Sequence, residues 1–104
     1  MDYHYACVEW FNANEVNGRV LIRIIEETSS FINGWEATWE VPMNDWIGAI
    51  FLVTEEDISD LDYGIILYSE KNLDEDIGCR GGSWFFPIES FDVVKKCLYK
   101  GEED

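Results

Sequence analysis

Apolar and polar positions alternate along much of this chain with the period of two that belongs to strands. "GRVLIRIIEE", Gly18 to Glu27, puts Val20, Ile22 and Ile24 on one face and Arg19, Leu21, Arg23 and Ile25 on the other. "WEATWEV" sets Trp35, Ala37, Trp39 and Val41 against Glu36, Thr38 and Glu40, the pattern of a half-buried strand that Pro42 ends. "IGAIFLV" and "YGIILYS" are apolar on both faces and predict strands covered on each side. "YHYACVEW", Tyr3 to Trp10, alternates loosely and is aromatic enough for an N-terminal strand. "GGSWFFPIESF" carries a further short strand into Pro87. Loops rich in turn residues, "NANEVNG" and "TSSFING" with its Asn33-Gly34 dipeptide, separate these runs.

Two readings of "SFDVVKKCLYK" stay open. One is a short C-terminal helix capped by Ser90, with Phe91, Val94, Cys97 and Leu98 as its stripe; the other is a last strand over "FDVVK". "EEDISDL" is the other stretch able to form helix. The sum is a single mainly β domain, residues 1–104, a small barrel or sandwich of five to seven short strands. Period-two spacing predicts a core containing Val20, Ile22, Ile24, Trp39, Ile50, Leu52, Ile66 and Phe86.

Two stretches carry a resemblance. "MNDWIGAIFLV" resembles the M-x-x-[WY]-I-G segment of small phage-encoded SH3-like proteins, and "GSWFFPIESFDVV" resembles the strand that ends their barrel. The resemblance spans Gly18 to Val94 and implies an SH3-like barrel of viral or mobile-element origin. It implies a short helical turn at Met43, Trp46 and Ile47, with a bend at Gly48. It also implies that Trp84 and Phe86 pack inward before Pro87, a 3₁₀ turn, and a final strand at Phe91 and Val93. The chain departs from that pattern in a long acidic insert and in the extra N-terminal strand.

Composition supports a folded core: 47% of the 104 residues are hydrophobic and 15% aromatic. No apolar run approaches the ~20 residues of a membrane span, and the first residues lack the basic and apolar regions of a signal peptide. Cys7, Cys79 and Cys97 are odd in number and lack paired spacing, which predicts reduced thiols in a cytoplasmic protein.

Charge changes the picture most. There are 22 acids against seven Lys or Arg, a net −15. From Glu26 to Asp76 fourteen acids accompany one base, Lys71. Such a chain repels nucleic acid and anionic membranes, so a macromolecular partner is expected to be basic. Catalytic chemistry is poorly provided for. His4 is the single histidine, so any nucleophile–base pair would have to run through it. Arg80 beside Cys79 is the one local arrangement expected to lower a thiol pKa. Calcium-loop frames starting at Asp60 or Asp74 place Gly64 or Gly78 where an oxygen ligand belongs. Neither an enzyme nor a cofactor is expected.

The acids themselves are the informative feature. With the resemblance they point to a phage inhibitor of the DNA-mimic type, anti-CRISPR or anti-restriction, covering the nucleic-acid-binding surface of a basic host defence protein. The expected partner-binding residues are Glu55, Glu56, Asp57, Asp60, Asp62, Asp74, Glu75 and Asp76, on the two loops flanking "GIILY". The alternatives are an immunity protein that neutralises a nuclease toxin, and a structural or accessory phage protein whose acidity serves solubility. Like-charge repulsion in these loops predicts that neutralising Asp60, Asp62, Asp74 and Asp76 together raises the stability of the unbound chain.

Overall fold

The computed structural model describes residues 2–28, 34–79 and 82–94. It contains a helix, α1 (Asp2–Asn14), and five strands: β1 (Arg19–Ile24), β2 (Ile50–Thr54), β3 (Ile65–Tyr68), β4 (Ser83–Phe86) and β5 (Phe91–Val93). The strands form two antiparallel sheets, one in the order β2-β1-β5 and one pairing β3 with β4. Among the described residues no ladder joins the two sheets into a closed barrel.

The N-terminal segment is a helix and not the expected strand. Tyr3, Cys7 and Phe11 recur every fourth residue and are all buried, so one helical stripe meets the core. A strand would also have put Tyr5 and Glu9 on the face of Tyr3, Cys7 and Phe11, whereas the helix turns both of them to solvent. Asn14 closes the helix with its side-chain amide donating to the Trp10 carbonyl at 2.7 Å. The following turn runs through Asn17 and Gly18, both at positive φ, into β1.

β1 is central to its sheet, and its pattern was legible: Val20, Ile22 and Ile24 are buried. β2 and β3 take the phase opposite to the one expected. Phe51, Val53, Ile65 and Leu67 point inward, while Ile50, Leu52 and Ile66 are half-buried. "WEATWEV" makes no strand. Trp35 is fully buried, but Trp39 is half-buried and Val41, 79% exposed, already begins a 3₁₀ turn over Val41–Trp46. Of this segment's backbone, Glu36 N–H reaches the Asp62 carbonyl at 2.8 Å, a contact between loops. After Pro87 come a 3₁₀ turn, Ile88–Ser90, and β5. The Asn33-Gly34 turn and the tail beyond Val94, with its helix-or-strand question, lie outside the described residues apart from Gly34 itself.

The sheets are joined by rings. Phe86 of β4 sits 5.5 Å from Trp46, 5.4 Å from Trp39 and 6.3 Å from Phe91 of β5, centroid to centroid. Trp46 stacks on Phe51 of β2 at 5.8 Å. At the open flank, Asn72 supplies the link that a ladder would otherwise make. Its Oδ1 accepts from the N–H of Ile50 and of Asp74, and its Nδ2 donates to the carbonyls of Asp74 and Ile77.

Gly64, at φ +95°, lets β3 start where it does. A Cβ there would run into the Phe86 carbonyl oxygen and sit 3.2 Å from the Trp35 indole nitrogen. Gly64→Ala is therefore expected to destabilise the fold by about 2 kcal/mol or more, through the left-handed backbone and the clash together. A denaturant melt checks this; an unchanged midpoint would show that β3 and β4 can move apart at no cost.

Candidate functional site

The two acidic loops begin where strands end. β2 finishes at Thr54, and Glu55–Asp57 turn immediately into a 3₁₀ segment. Asp57 is committed to that turn: its Oδ2 accepts from the Thr54 N–H at 2.9 Å and from the Thr54 hydroxyl at 3.3 Å. This reciprocal cap fixes the turn and leaves Glu55 and Glu56 exposed. β3 finishes at Tyr68, and Ser69–Lys71 make a second 3₁₀ turn that exposes Glu70 and Lys71.

These two turns face each other across the outer side of β3. Between them lies a cleft of about 300 Å³ lined by Glu56, Asp57, Ile66, Tyr68, Glu70 and Lys71. Ile66 and Tyr68 are the β3 residues that alternate away from the buried Ile65 and Leu67. Lys71 Nζ stands 5.7 Å from the centre of the Tyr68 ring, a cation–π contact. The cleft is thus apolar at its floor and acidic at its walls, with one internal cation over its aromatic ring.

The other expected residues lie elsewhere. Asp60 is exposed in the loop before Gly64. Asp62 is 7% exposed and its Oδ1 accepts from the backbone N–H of His4 at 3.0 Å, in the first turn of α1. It works as a helix cap supplied from a distant part of the chain, where a carboxylate also suits the helix dipole. Asp74 accepts from the Asp76 N–H at 3.0 Å and lies 3.6 Å from the Arg23 guanidinium. Leu73 N–H bonds the Ile50 carbonyl at 2.8 Å, so this group sits at the start of β2, with the length of the strand, roughly 13 Å, between it and Glu55. Glu75 and Asp76 are exposed there. The structure therefore brings Glu56 and Asp57 together with Glu70, Lys71, Ile66 and Tyr68, which the sequence reading did not include. The all-apolar run of β3 carries no signal of which phase faces outward, so the sequence did not point to Ile66 and Tyr68 as a surface pair.

The reactive groups are turned to structural use. His4 Nδ1 is 2.8 Å from the Ser59 carbonyl and ties α1 to the acidic loop. Tyr3 Oη donates to Glu89 Oε1 at 2.5 Å and accepts from the Ile88 N–H at 2.8 Å. Burial, then the Glu89 hydrogen bond and charge, push the Tyr3 phenol far above its ordinary range. Burial, then the charges of Glu89 and Asp62, push the Cys7 thiol up to about 12. Cys79 is raised to about 11, by burial first and by Asp74 second, so it is the reverse of an activated thiol. Arg80 and Cys97 lie outside the described residues. Among the described residues, no three His, Cys, Asp or Glu side chains are grouped to hold a metal ion, and no helix is long and apolar enough to cross a membrane. Comparison with protein-family models, curated proteins and solved structures found no match.

Two predictions follow from this division of labour. The fourfold neutralisation that repulsion alone favours now has opposing parts, because Asp62 and Asp74 hold backbone groups in place. Asp62→Ala is expected to lower stability by about 1–2 kcal/mol, the usual worth of a helix cap, whereas Asp60→Asn and Asp76→Asn are expected to shift it by no more than about 0.5 kcal/mol. Urea melts of the single variants check this; equal effects at Asp62 and Asp60 would remove the capping role.

The second prediction concerns pH. Tyr3 and Cys7 hold their protons to higher pH in the folded chain than in the unfolded one. The unfolded state releases protons first, so stability is intact below about pH 9, the ordinary thiol value, and falls as pH rises toward about 12. The slope contributed by each group approaches ~1.4 kcal/mol per pH unit within that window. Melts at pH 8, 9, 10 and 11 read it; a midpoint constant to pH 11 would contradict the burial of these two groups.

Proposed function

We propose that this chain is an acidic inhibitor of phage or mobile-element origin that occupies the basic nucleic-acid-binding surface of a host defence protein in the host cytoplasm. The observation that carries the reading is the way the exposed acids are held. Glu55, Glu56 and Glu70 stand on short 3₁₀ turns that begin directly at the ends of β2 and β3. Glu75 and Asp76 stand on a loop fastened to β2 through Asn72 and Leu73. Carboxylates fixed in this way lose little freedom on binding, unlike those on a flexible acidic tail.

B-form DNA presents a phosphate charge about every 1.7 Å along its axis. A small chain with a net charge of −15 offers a protein's DNA-binding groove a comparable field. The partner's lysines and arginines are neutralised as they are by phosphates. Direct binding to nucleic acid is disfavoured by the same charge. We read the two antiparallel sheets, with the 3₁₀ turn before Gly48 and the one after Pro87, as parts of an SH3-like barrel that serves as the rigid support.

The test is competition. Immobilised chain is exposed to a bacterial lysate, and retained proteins are eluted either with a ~20-base-pair duplex or with rising salt. The reading expects nucleic-acid-binding proteins that the duplex displaces, with affinity falling steeply as salt rises. The combined variant Glu55→Gln, Glu56→Gln, Glu75→Gln and Asp76→Asn is expected to retain at least tenfold less and to show a shallower salt dependence. Retained proteins that the duplex cannot displace, or full retention by the variant, would overturn it.

A further inference from the structure

We propose that the cleft between the Glu55–Asp57 and Ser69–Lys71 turns is a socket for an arginine side chain of the basic partner protein, with the guanidinium laid over Tyr68 between Glu56 and Glu70. The inference rests on the basic-partner reading above and names the contact at its centre.

Three features argue for a cation with a flat face. The first is the floor: Ile66 and Tyr68 lie on the outward phase of β3, and Tyr68 is 40% exposed on a strand whose other phase is buried. A long aliphatic stem has apolar surface to lie along, as arginine and lysine stems do. The second is the wall: Glu56, Asp57 and Glu70 line the cleft and Lys71 alone opposes them, so an anionic occupant meets repulsion. The third is the occupant already present. Lys71 Nζ hovers 5.7 Å from the Tyr68 ring centre, so this ring face accommodates a cation within the protein's own geometry. Lys71 is exposed and tethered by a three-residue turn, and an incoming side chain can displace it. A guanidinium stacks on a tyrosine ring and reaches carboxylates on both sides through its planar fork, which an ammonium cannot do. A cleft of about 300 Å³ has room for one such head group and its stem.

The test uses the full chain, isotopically labelled, titrated with N-acetyl hexa-arginine amide at about 150 mM salt, where long-range attraction is screened. Hexalysine and hexacitrulline are the comparison peptides. Amide shifts are expected at Ile66, Tyr68, Glu70 and Lys71, with hexa-arginine binding tighter than hexalysine and hexacitrulline not binding. Tyr68→Leu, which keeps charge and apolar bulk, is expected to weaken hexa-arginine about two- to fivefold. Glu56→Gln with Glu70→Gln is expected to weaken it more than Glu75→Gln with Asp76→Asn, an equal change of charge outside the cleft. Lys71→Gln is expected to tighten binding more than Arg19→Gln, because it also vacates the ring. Shifts spread evenly over all the acidic turns, unchanged binding by Tyr68→Leu, or equal binding of hexacitrulline would each overturn the socket and leave the basic-partner reading standing. No binding of hexa-arginine anywhere on the chain would remove both.

Discussion

Phe86 is where the two sheets meet, and the rest of the molecule is arranged around that meeting. Its ring lies against Trp39 and Trp46 on one side of the chain's course and Phe91 on the other, while Trp46 passes the contact on to Phe51. Aromatic pairs in such tilted and edge-on arrangements contribute about 0.5–1.5 kcal/mol each beyond the area they bury. Two sheets of three and two short strands have little else in common. They share no ladder among the described residues, and the polar links at the start of β2 are the Asn72 side chain and the backbone bond from Leu73 N–H to the Ile50 carbonyl. The close backbone approach of Gly64 to Phe86 belongs to the same constraint. β3 is held on its other side by the Ile58–Ile65 bridge and by the Ser59 N–H donated to the Gly64 carbonyl at 2.9 Å, which tie it to the chain just after the Glu55–Asp57 turn.

The acids fall into two kinds because repulsion and capping act at different ranges. Asp57, Asp62 and Asp74 each accept backbone N–H groups within about 3 Å. At that distance a charged hydrogen bond outweighs the diffuse repulsion of neighbours several ångströms away in water. Glu55, Glu56, Glu70, Glu75 and Asp76 face solvent, where repulsion is screened and each contact costs only a few tenths of a kcal/mol. The structure thus tolerates a net −15 by committing some acids locally and spreading the others over separate turns.

What was legible in the sequence follows the same physics. Val20, Ile22 and Ile24 were readable because β1 has one buried face, and polar neighbours mark the other. The runs of β2 and β3 are apolar at every position, so their composition says strand but cannot say which phase points inward. Phe51 and Ile65 take the buried phase, Phe51 stacked on the Trp46 ring. α1 was misread because aromatic residues are common to strands and buried helices alike; Tyr5, exposed, and Trp10, half-buried, obscure the stripe of Tyr3, Cys7 and Phe11. Trp35 to Glu40 alternates in burial as a strand would, yet among the described residues it joins no ladder and Glu36 N–H bonds a loop carbonyl, that of Asp62. The cap that Asp62 gives to α1 joins residues 58 apart in the chain, a pairing that no local pattern records.

The position of Tyr68 connects these points to function. Its face was fixed by the inward choice of Ile65 and Leu67, and that choice by the packing of β3 and β4 about the core rings. An aromatic residue pushed outward in this way usually finds apolar cover from a neighbour. Here the flanking turns bring Glu56, Asp57 and Glu70 to the cleft beside Ile66, and the ammonium of Lys71 stands 5.7 Å from the ring centre. Single exposed apolar residues are ordinary on this surface, Tyr5, Leu61 and Leu73 among them, and Tyr68 is set apart by the acid-walled cleft it lines. In the proposed contact the ring and the incoming stem exclude water, and the carboxylates then act on the cation at lower local dielectric. On the proposal above, the pairing of Tyr68 with Glu56 and Glu70, more than the total of 22 acids, is what a basic partner would read.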